Sequence, residues 1–485
     1  MKFKPLSLAV SGALVALSGS AFAYNFADGG YTVANTAAVY ISGSSATNNQ
    51  LKAWAKDVFC DSTKQISYND VGTDTNQFAV VCQPKPAFAG SFSKANVAII
   101  KNSNGGSGNG ISKLTGSGVQ FTDVFQPNPV TAALTASRVA DIGVSDEEPA
   151  ILKKAGAFTG AIPAGLVAAP LNVTTFGTPV TLGLRNALQD AQIKSGALPA
   201  SCTVGSETEA CMPSLSKSQI ASIFSGNLVG WSELGLSNPA GDDNVYIARR
   251  VISSGTQTAS RIQFLNSPCV DGVLPFVPGD NGEVNNKPNA CNAASYSGRV
   301  FEGSGGGNVE TCLTNHDRNG RWAIGINSLE LPSTTDTSPE YATTGARAAT
   351  GNSILNKDYQ RHIKIDGVSP SAFNTATGRY TFWYEATMNT IGTPGGDVGA
   401  LRTAMITGFN DPAVLVPLNN TFNTTALLGK PAGILAPSAS GAPTATEASE
   451  ASVAAQPLMY YTRSITGSPN SCQPAMSYYS TNINP

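Results

Sequence analysis

The sequence predicts an α/β fold, and three observations carry that expectation. Short β-type runs ending in Gly and Ser recur, each followed by an amphipathic segment. The chain has 485 residues, enough for two or three domains of ordinary size. Only 13% of it is Asp, Glu, Lys or Arg, and with Gly 49 and Pro 29 it is a turn-rich chain of low charge density. Lys+Arg 30 against Asp+Glu 32 excludes bulk electrostatic affinity for nucleic acid or anionic membranes, so neither partner is expected. Two histidines, His316 and His362, leave little for a His-based metal site or a catalytic pair, and both are expected on loops or the surface.

The first element is an address. Lys2 and Lys4, an apolar stretch from Leu6 to Leu17 and Ala21-Phe22-Ala23 read as a secretory signal over 1–23, cleaved after Ala23 so that the mature chain starts at Tyr24. The apolar run is too short to span a bilayer, and no later stretch reaches transmembrane length, so no membrane insertion is expected. The compartment is periplasmic or extracellular. All eight cysteines follow the signal: Cys60, Cys82, Cys202, Cys211, Cys269, Cys291, Cys312 and Cys472. An even number in an exported chain suggests disulfides. The pairing is not deducible; joining neighbours gives 60–82, 202–211, 269–291 and then 312–472.

Three copies of a strand–turn–helix device follow. Val39-Tyr40-Ile41 runs into Gly43-Ser44-Ser45-Ala46-Thr47, and Leu51, Trp54, Ala55, Val58 and Phe59 then trace a helical stripe. Val97-Ala98-Ile99-Ile100 leads through Gly105 to Gly110 into Ile111 and Leu114. Val245-Tyr246-Ile247-Ala248 leads through Arg249-Arg250 and Ser253-Ser254-Gly255-Thr256 into Ile262, Phe264 and Leu265. Between them Ser216 caps a short helix that ends at Gly226, followed by Trp231-Ser232-Glu233-Leu234-Gly235, with Phe224 and Trp231 expected in the core. Residues 267–312 and 332–355 read as surface loops, and 430–456 as a flexible low-complexity excursion.

A strand that ends in Gly and Ser and opens a helix presents unpaired N–H groups to an anion, although plain N-caps use the same residues. One such turn decides nothing; three, one with Arg250 six residues before Thr256, suggest a shared anion site. Rival motifs fail. Gly105 to Ser112 lacks the Gly-Lys-Ser/Thr ending of a P-loop and the spacing of a dinucleotide fingerprint. No G-x-S-x-G elbow exists. Asn315 to Gly320 imitates half a calcium loop, but Ile326 stands where Glu is needed, so a polar turn is expected there and no metal.

At these residues the sequence resembles the phosphate-binding proteins of bacterial phosphate ABC transporters, within the type 2 periplasmic-binding-protein family. Five stretches match in family order: Gly43 to Thr47, Gly106 to Ile111, Asp141-Ile142-Gly143-Val144-Ser145-Asp146, Leu215 to Gly235, and Arg250 to Thr256. Weaker echoes are Gly303-Ser304-Gly305, Ala323-Ile324-Gly325 and Ile365 to Pro370. The resemblance implies a two-lobed α/β architecture with a hinge of two crossovers, each lobe a mostly parallel sheet with helices. Lobe I would comprise 24–170 plus 333–485, and lobe II 171–332. It implies inorganic phosphate as ligand, held by Thr47, Asn48 (through its backbone N–H), Ser107 and Asp146 from lobe I and by Arg250, Ser254, Gly255 and Thr256 from lobe II, with no cofactor and no catalytic residue. Asp146 makes sense beside an oxyanion only if the ligand supplies a proton, as monohydrogen phosphate does and sulfate does not.

Two departures bear on function. Ile252 stands where the family often has an acidic residue, and extra sequence sits near 200–212, 267–312 and 430–472. Phosphate uptake with an inner-membrane ABC permease, by a monomer, is the leading expectation. A binder of another oxyanion, a secreted phosphatase-like protein and an extracellular scaffold on the same fold are the alternatives.

Overall fold

A computed structural model describes residues 25–26, 30–69, 76–116, 118–122, 124–125, 135–273, 275–279, 291, 298–329, 360–422, 433–445, 447–465 and 468–479. The expected signal at 1–23 and the expected loop at 332–355 lie outside them. No helix among the described residues is long and apolar enough to cross a membrane.

Two mixed sheets organise the α/β fold. The nine-stranded sheet runs, in spatial order, Asn327–Ser328, Leu166–Gly177, Trp383–Ile391, Ile142–Ser145, Thr36–Gly43, Asn96–Asn102, Gln77–Pro84 and Cys60–Asn69, with Ile434–Leu435 added beside Leu166–Gly177. The five-stranded sheet runs Val300–Gly303, Tyr246–Arg250, Ala323–Gly325, Pro179–Thr181 and Gln360–His362. The expectation of mostly parallel sheets is corrected. Within these two sheets, parallel pairing among the described residues joins Thr36–Gly43 with Asn96–Asn102 and Ile142–Ser145, and Tyr246–Arg250 with Val300–Gly303 and Ala323–Gly325. Each of these pairs is bridged by a helix or a long excursion, which parallel return requires. The remaining pairs are hairpins or long returns and run antiparallel.

The chain passes between sheets where Leu166–Gly177 gives way to Pro179–Thr181 and where Ala323–Gly325 gives way to Asn327–Ser328. It also returns from Gln360–His362 to Trp383–Ile391, so the connection has more strands than the two crossovers expected, and Gln360–His362 is hydrogen-bonded into the smaller sheet.

Helices cover the sheets as their apolar spacing requires. Leu51, Trp54, Ala55 and Phe59 pack into the core of the larger sheet with Val39, Ile41, Val97 and Ile99. Ser216 accepts the Gln219 N–H in a reciprocal cap of helix Lys217–Phe224, and Phe224 and Trp231 are both fully buried in the smaller sheet's core.

Four disulfides form, with two of the four guessed pairings replaced. Cys60–Cys82 and Cys202–Cys211 join neighbours, whereas Cys291 pairs with Cys312 and Cys269 with Cys472 across a separation of 203. Cys312 lies in a helix, Gly306–Arg318, whose turns carry it to Cys291. That same helix replaces the polar turn expected at 315–320, and it fully buries His316 against the Tyr246 ring. His362 is buried in a strand, so both histidines reverse the surface expectation; burial lowers each to a pKa of about 3 and keeps the rings neutral. The expected excursion at 430–456 is also corrected where it is described. Ile434 and Leu435 pair with Thr174 and Val173, and Glu450–Ala455 is a helix capped by Ser449.

Candidate anion-binding site

The Gly/Ser turns of the two sheets meet face to face. On the larger-sheet side stand Gly43 to Asn48, Ser103 to Gly108, and Asp146 at the end of Ile142–Ser145. On the smaller-sheet side stand Arg250, Ser253 to Thr256 and the turn at Gly303–Gly305. The approach is close enough that only glycine fits. A Cβ on Gly255 would lie 2.4 Å from Ser107 Oγ and 2.6 Å from Asp146 Oδ2, and one on Gly106 would lie 2.9 Å from Ser254 Cα. Gly108 N donates to Ser253 O across the contact at 3.0 Å.

Asp146 is the centre of the first wall. It is 1% exposed, and its two carboxylate oxygens accept from different sides: Oδ1 from Ser44 Oγ on its own wall, and Oδ2 from Thr256 Oγ1 on the other at 3.4 Å. Its backbone N–H donates to Ser107 Oγ at 3.0 Å. Burial pushes the Asp146 carboxyl above the usual carboxylate range, and the Ser44 hydroxyl, the Arg250 charge, Ser107 and Thr256 pull back against it. The neighbouring Glu147 is fully buried with neither carboxyl oxygen hydrogen-bonded, and burial with the charges of Asp146 and Glu148 raises it well above its ordinary value.

Arg250 is the cation of the second wall, also 1% exposed. Its Nε donates to Gly303 O at 3.1 Å, one terminal nitrogen to Ser304 O, and the other crosses to Ser45 Oγ at 3.0 Å. The Gly303-Ser304-Gly305 echo therefore serves as the brace of the arginine. Arg249 is buried as well, although strand alternation turns neighbouring side chains to opposite faces. It points to Glu302, 2.9 Å away, so the two arginines divide into a structural ion pair and a crevice cation. Ile252 stands 56% exposed and does not hold Arg250.

The other expected residues are placed as follows. Thr47 Oγ1 donates to Ser44 O at 2.9 Å, which stiffens the first turn. Asn48 N–H donates to Ser45 O at 3.1 Å and its amide to Ser103 Oγ at 2.9 Å, so the backbone donor assigned to the ligand is turned onto the loop itself. Ser254 opens helix Gly255–Leu265 without a side-chain cap, leaving its buried hydroxyl available to the crevice.

Three groups escaped the sequence reading: Ser44 and Ser45, whose hydroxyls reach the acid and the cation, and Lys101. Lys101 is 0% exposed, and its Nζ donates to the carbonyls of Gly43 and Ser44, each at 3.0 Å. Burial lowers its pKa from 10.5 to about 7 against the opposing pull of Asp146. A lysine closing the apolar run Val97 to Ile100 was the available signal.

No protein-family model matches the chain, and no curated protein sequence matches it. Among solved structures it is similar to a candidate phosphate ABC transporter substrate-binding protein with bound phosphate from Clostridium perfringens, at 14% identity over 79% of this chain and 98% of that one, with a TM-score of 0.42. It is similar to an ABC-type phosphate transport receptor from Vibrio cholerae at 14% identity, 76% and 93% coverage and a TM-score of 0.35. It is also similar to a phosphate-binding protein from Stenotrophomonas maltophilia at 15% identity, 77% and 84% coverage and a TM-score of 0.34.

Proposed function

We propose that this chain is an exported binding protein that captures inorganic phosphate between its two walls and delivers it to an inner-membrane ABC permease. The observation that carries the reading is a buried acid, Asp146, set opposite a buried cation, Arg250, among the hydroxyls of Ser44, Ser45, Ser107, Ser254 and Thr256. A lone oxyanion beside a carboxylate is repelled. Monohydrogen phosphate is not, because its own proton can be donated to Asp146 while its oxygens accept from Arg250, Ser107, Ser254 and Thr256. Sulfate brings no proton and would leave two acceptors facing each other out of water.

Two side-chain bonds, Thr256 to Asp146 and Arg250 to Ser45, join the walls directly, beside the backbone bond from Gly108 to Ser253. Phosphate enters by separating the walls and then exchanges these contacts for its own, so binding and closure are one event. The ligand favours the closed state only through contacts that the open state lacks. Four disulfides fit the oxidising compartment that export supplies.

The test is calorimetric titration of the mature protein with phosphate and sulfate, beside Asp146→Asn and Arg250→Ala. Tight phosphate binding, silence toward sulfate and loss in both variants are expected. Wild-type isotherms retained by both variants would overturn the site, and steady turnover of p-nitrophenyl phosphate lost in Asp146→Asn would replace binding with hydrolysis.

A further inference from the structure

Lys101 sits where an apolar residue belongs. In strand Asn96–Asn102 it pairs with Ile41 on one side and Phe78 on the other. Alternation puts it on the same face as Val97 and Ile99, which belong to the larger sheet's apolar core. An ammonium in such a place is tolerated only with compensation, because burial strips its water. Two backbone carbonyls supply part of it. Among the described residues no ion pair joins Lys101 to a carboxylate, and Asp146 acts on it only through its field.

Its position explains what the charge is for. The carbonyls of Gly43 and Ser44 turn back onto Nζ, and the loop's other groups then face the crevice: Ser44 Oγ reaches Asp146 and Ser45 Oγ reaches Arg250. Gly43 holds this reversal with φ at 113°, in a place where a Cβ would lie 2.0 Å from Val144 O. The charge count points the same way. A phosphate dianion and the Asp146 carboxylate bring three negative charges into one dry crevice, and Arg250 alone answers one of them. A second cation directly behind the first loop is the missing counterweight.

Resting on the phosphate reading above, we propose that Lys101 is a positioning residue of the anion cradle: it orders the Gly43–Asn48 turn and supplies the second positive charge that a phosphate dianion requires. Because the free protein holds the Lys101 proton weakly, arrival of the dianion draws a proton onto Nζ. The charged groups that bear on this proton are Asp146, through its field, and the ligand. Asp146 and Glu147 are the other buried titratable groups at the crevice, and the Lys101 variants separate their share.

The experiment is calorimetry of the full mature chain with inorganic phosphate at about pH 8.5, in buffers of different ionisation enthalpy, corrected for the ligand's own titration. The wild type is expected to take up roughly one proton per phosphate bound. Lys101→Arg keeps the charge permanently and should bind within a few-fold of wild type while taking up no proton. Lys101→Met should lose both the proton uptake and at least about tenfold in affinity. A purely structural tie would alter affinity or folding without moving the proton count. Wild-type binding with no proton uptake overturns the proposal without help from any variant, and so does uptake that survives in Lys101→Arg. Wild-type silence toward phosphate overturns the phosphate reading itself, and the role of Lys101 with it.

Discussion

The two walls of the crevice are built from the same device, a parallel strand ending in Gly and Ser before a helix, yet they are held together differently. The larger-sheet wall is braced by its side chains: Lys101 on the Gly43 and Ser44 carbonyls, Ser44 on Asp146, and Ser107 on the Asp146 amide. The smaller-sheet wall is braced by its ligand-facing cation itself, with the Arg250 side chain tied to the Gly303 and Ser304 carbonyls and Gly255 pressed against Ser107 and Asp146. A carboxylate presented to an anion selects by the ligand's proton, while a guanidinium attracts any oxyanion. On the phosphate reading, the first wall would discriminate and the second would attract.

Substitutions can break this division of labour. Arg250→Ala should weaken every oxyanion alike. Asp146→Asn should weaken phosphate and narrow its margin over sulfate, since an amide can donate where the carboxylate could only accept. For phosphate each loss is expected to exceed about a hundredfold, because removing one partner of a buried charged contact costs about 3–5 kcal/mol. Competition between phosphate and sulfate for each variant measures the contrast. Equal margins in both variants would erase the distinction between the walls.

Gly255→Ala probes the closeness of approach. The added methyl has no room between Ser107 and Asp146, so the walls must part. Overpacking of this kind costs about 1–3 kcal/mol, read as a roughly tenfold or larger rise in dissociation constant with the fold retained. Ser45→Ala is milder. It removes the one hydroxyl acceptor of Arg250 that phosphate replaces on binding, while two carbonyls remain, so binding should change by no more than about 0.5–1.5 kcal/mol.

Much of this arrangement is legible in the sequence because turns carry local chemistry. Gly43, Gly106 and Gly255 are dictated by close backbone approach, and Asp146 and Arg250 stand at fixed offsets from strands that end at the crevice. What escaped was set by distant packing. Lys101 reads as a charge at a strand's end, and only the fold brings the first turn over it. Ile434 to Ala436 lie in a stretch that composition marks as loose, yet Ile434 and Leu435 pair with Leu166–Gly177 and all three side chains are buried. Cys269 and Cys472 are too far apart in sequence for spacing to suggest their bond. Helix Gly306–Arg318 buries a polar run, Thr314 to Asp317, that reads as solvent-exposed.

Glu147 sharpens the same contrast through pH. At this acid beside Asp146 only the Ala259 backbone N–H offsets burial and the neighbouring charges, and its folded-state pKa is raised. The folded chain therefore binds this proton more tightly than the unfolded chain does. Its contribution to stability is complete below the unfolded value and is lost as pH rises through the folded one. Glu147→Gln, which cannot ionise, should melt close to wild type in acid and increasingly above it as pH rises. A gap between the two that stays constant from acid to alkaline pH would show that Glu147 carries no such penalty.

The most direct test of the central claim is isothermal calorimetry with phosphate and then sulfate, on mature protein unfolded and refolded to remove carried-over ligand. Phosphate binding at micromolar strength or tighter, with no heat from sulfate, is the expected result. Silence toward both anions, or equal binding of both, would contradict a site in which Asp146 reads the ligand's proton.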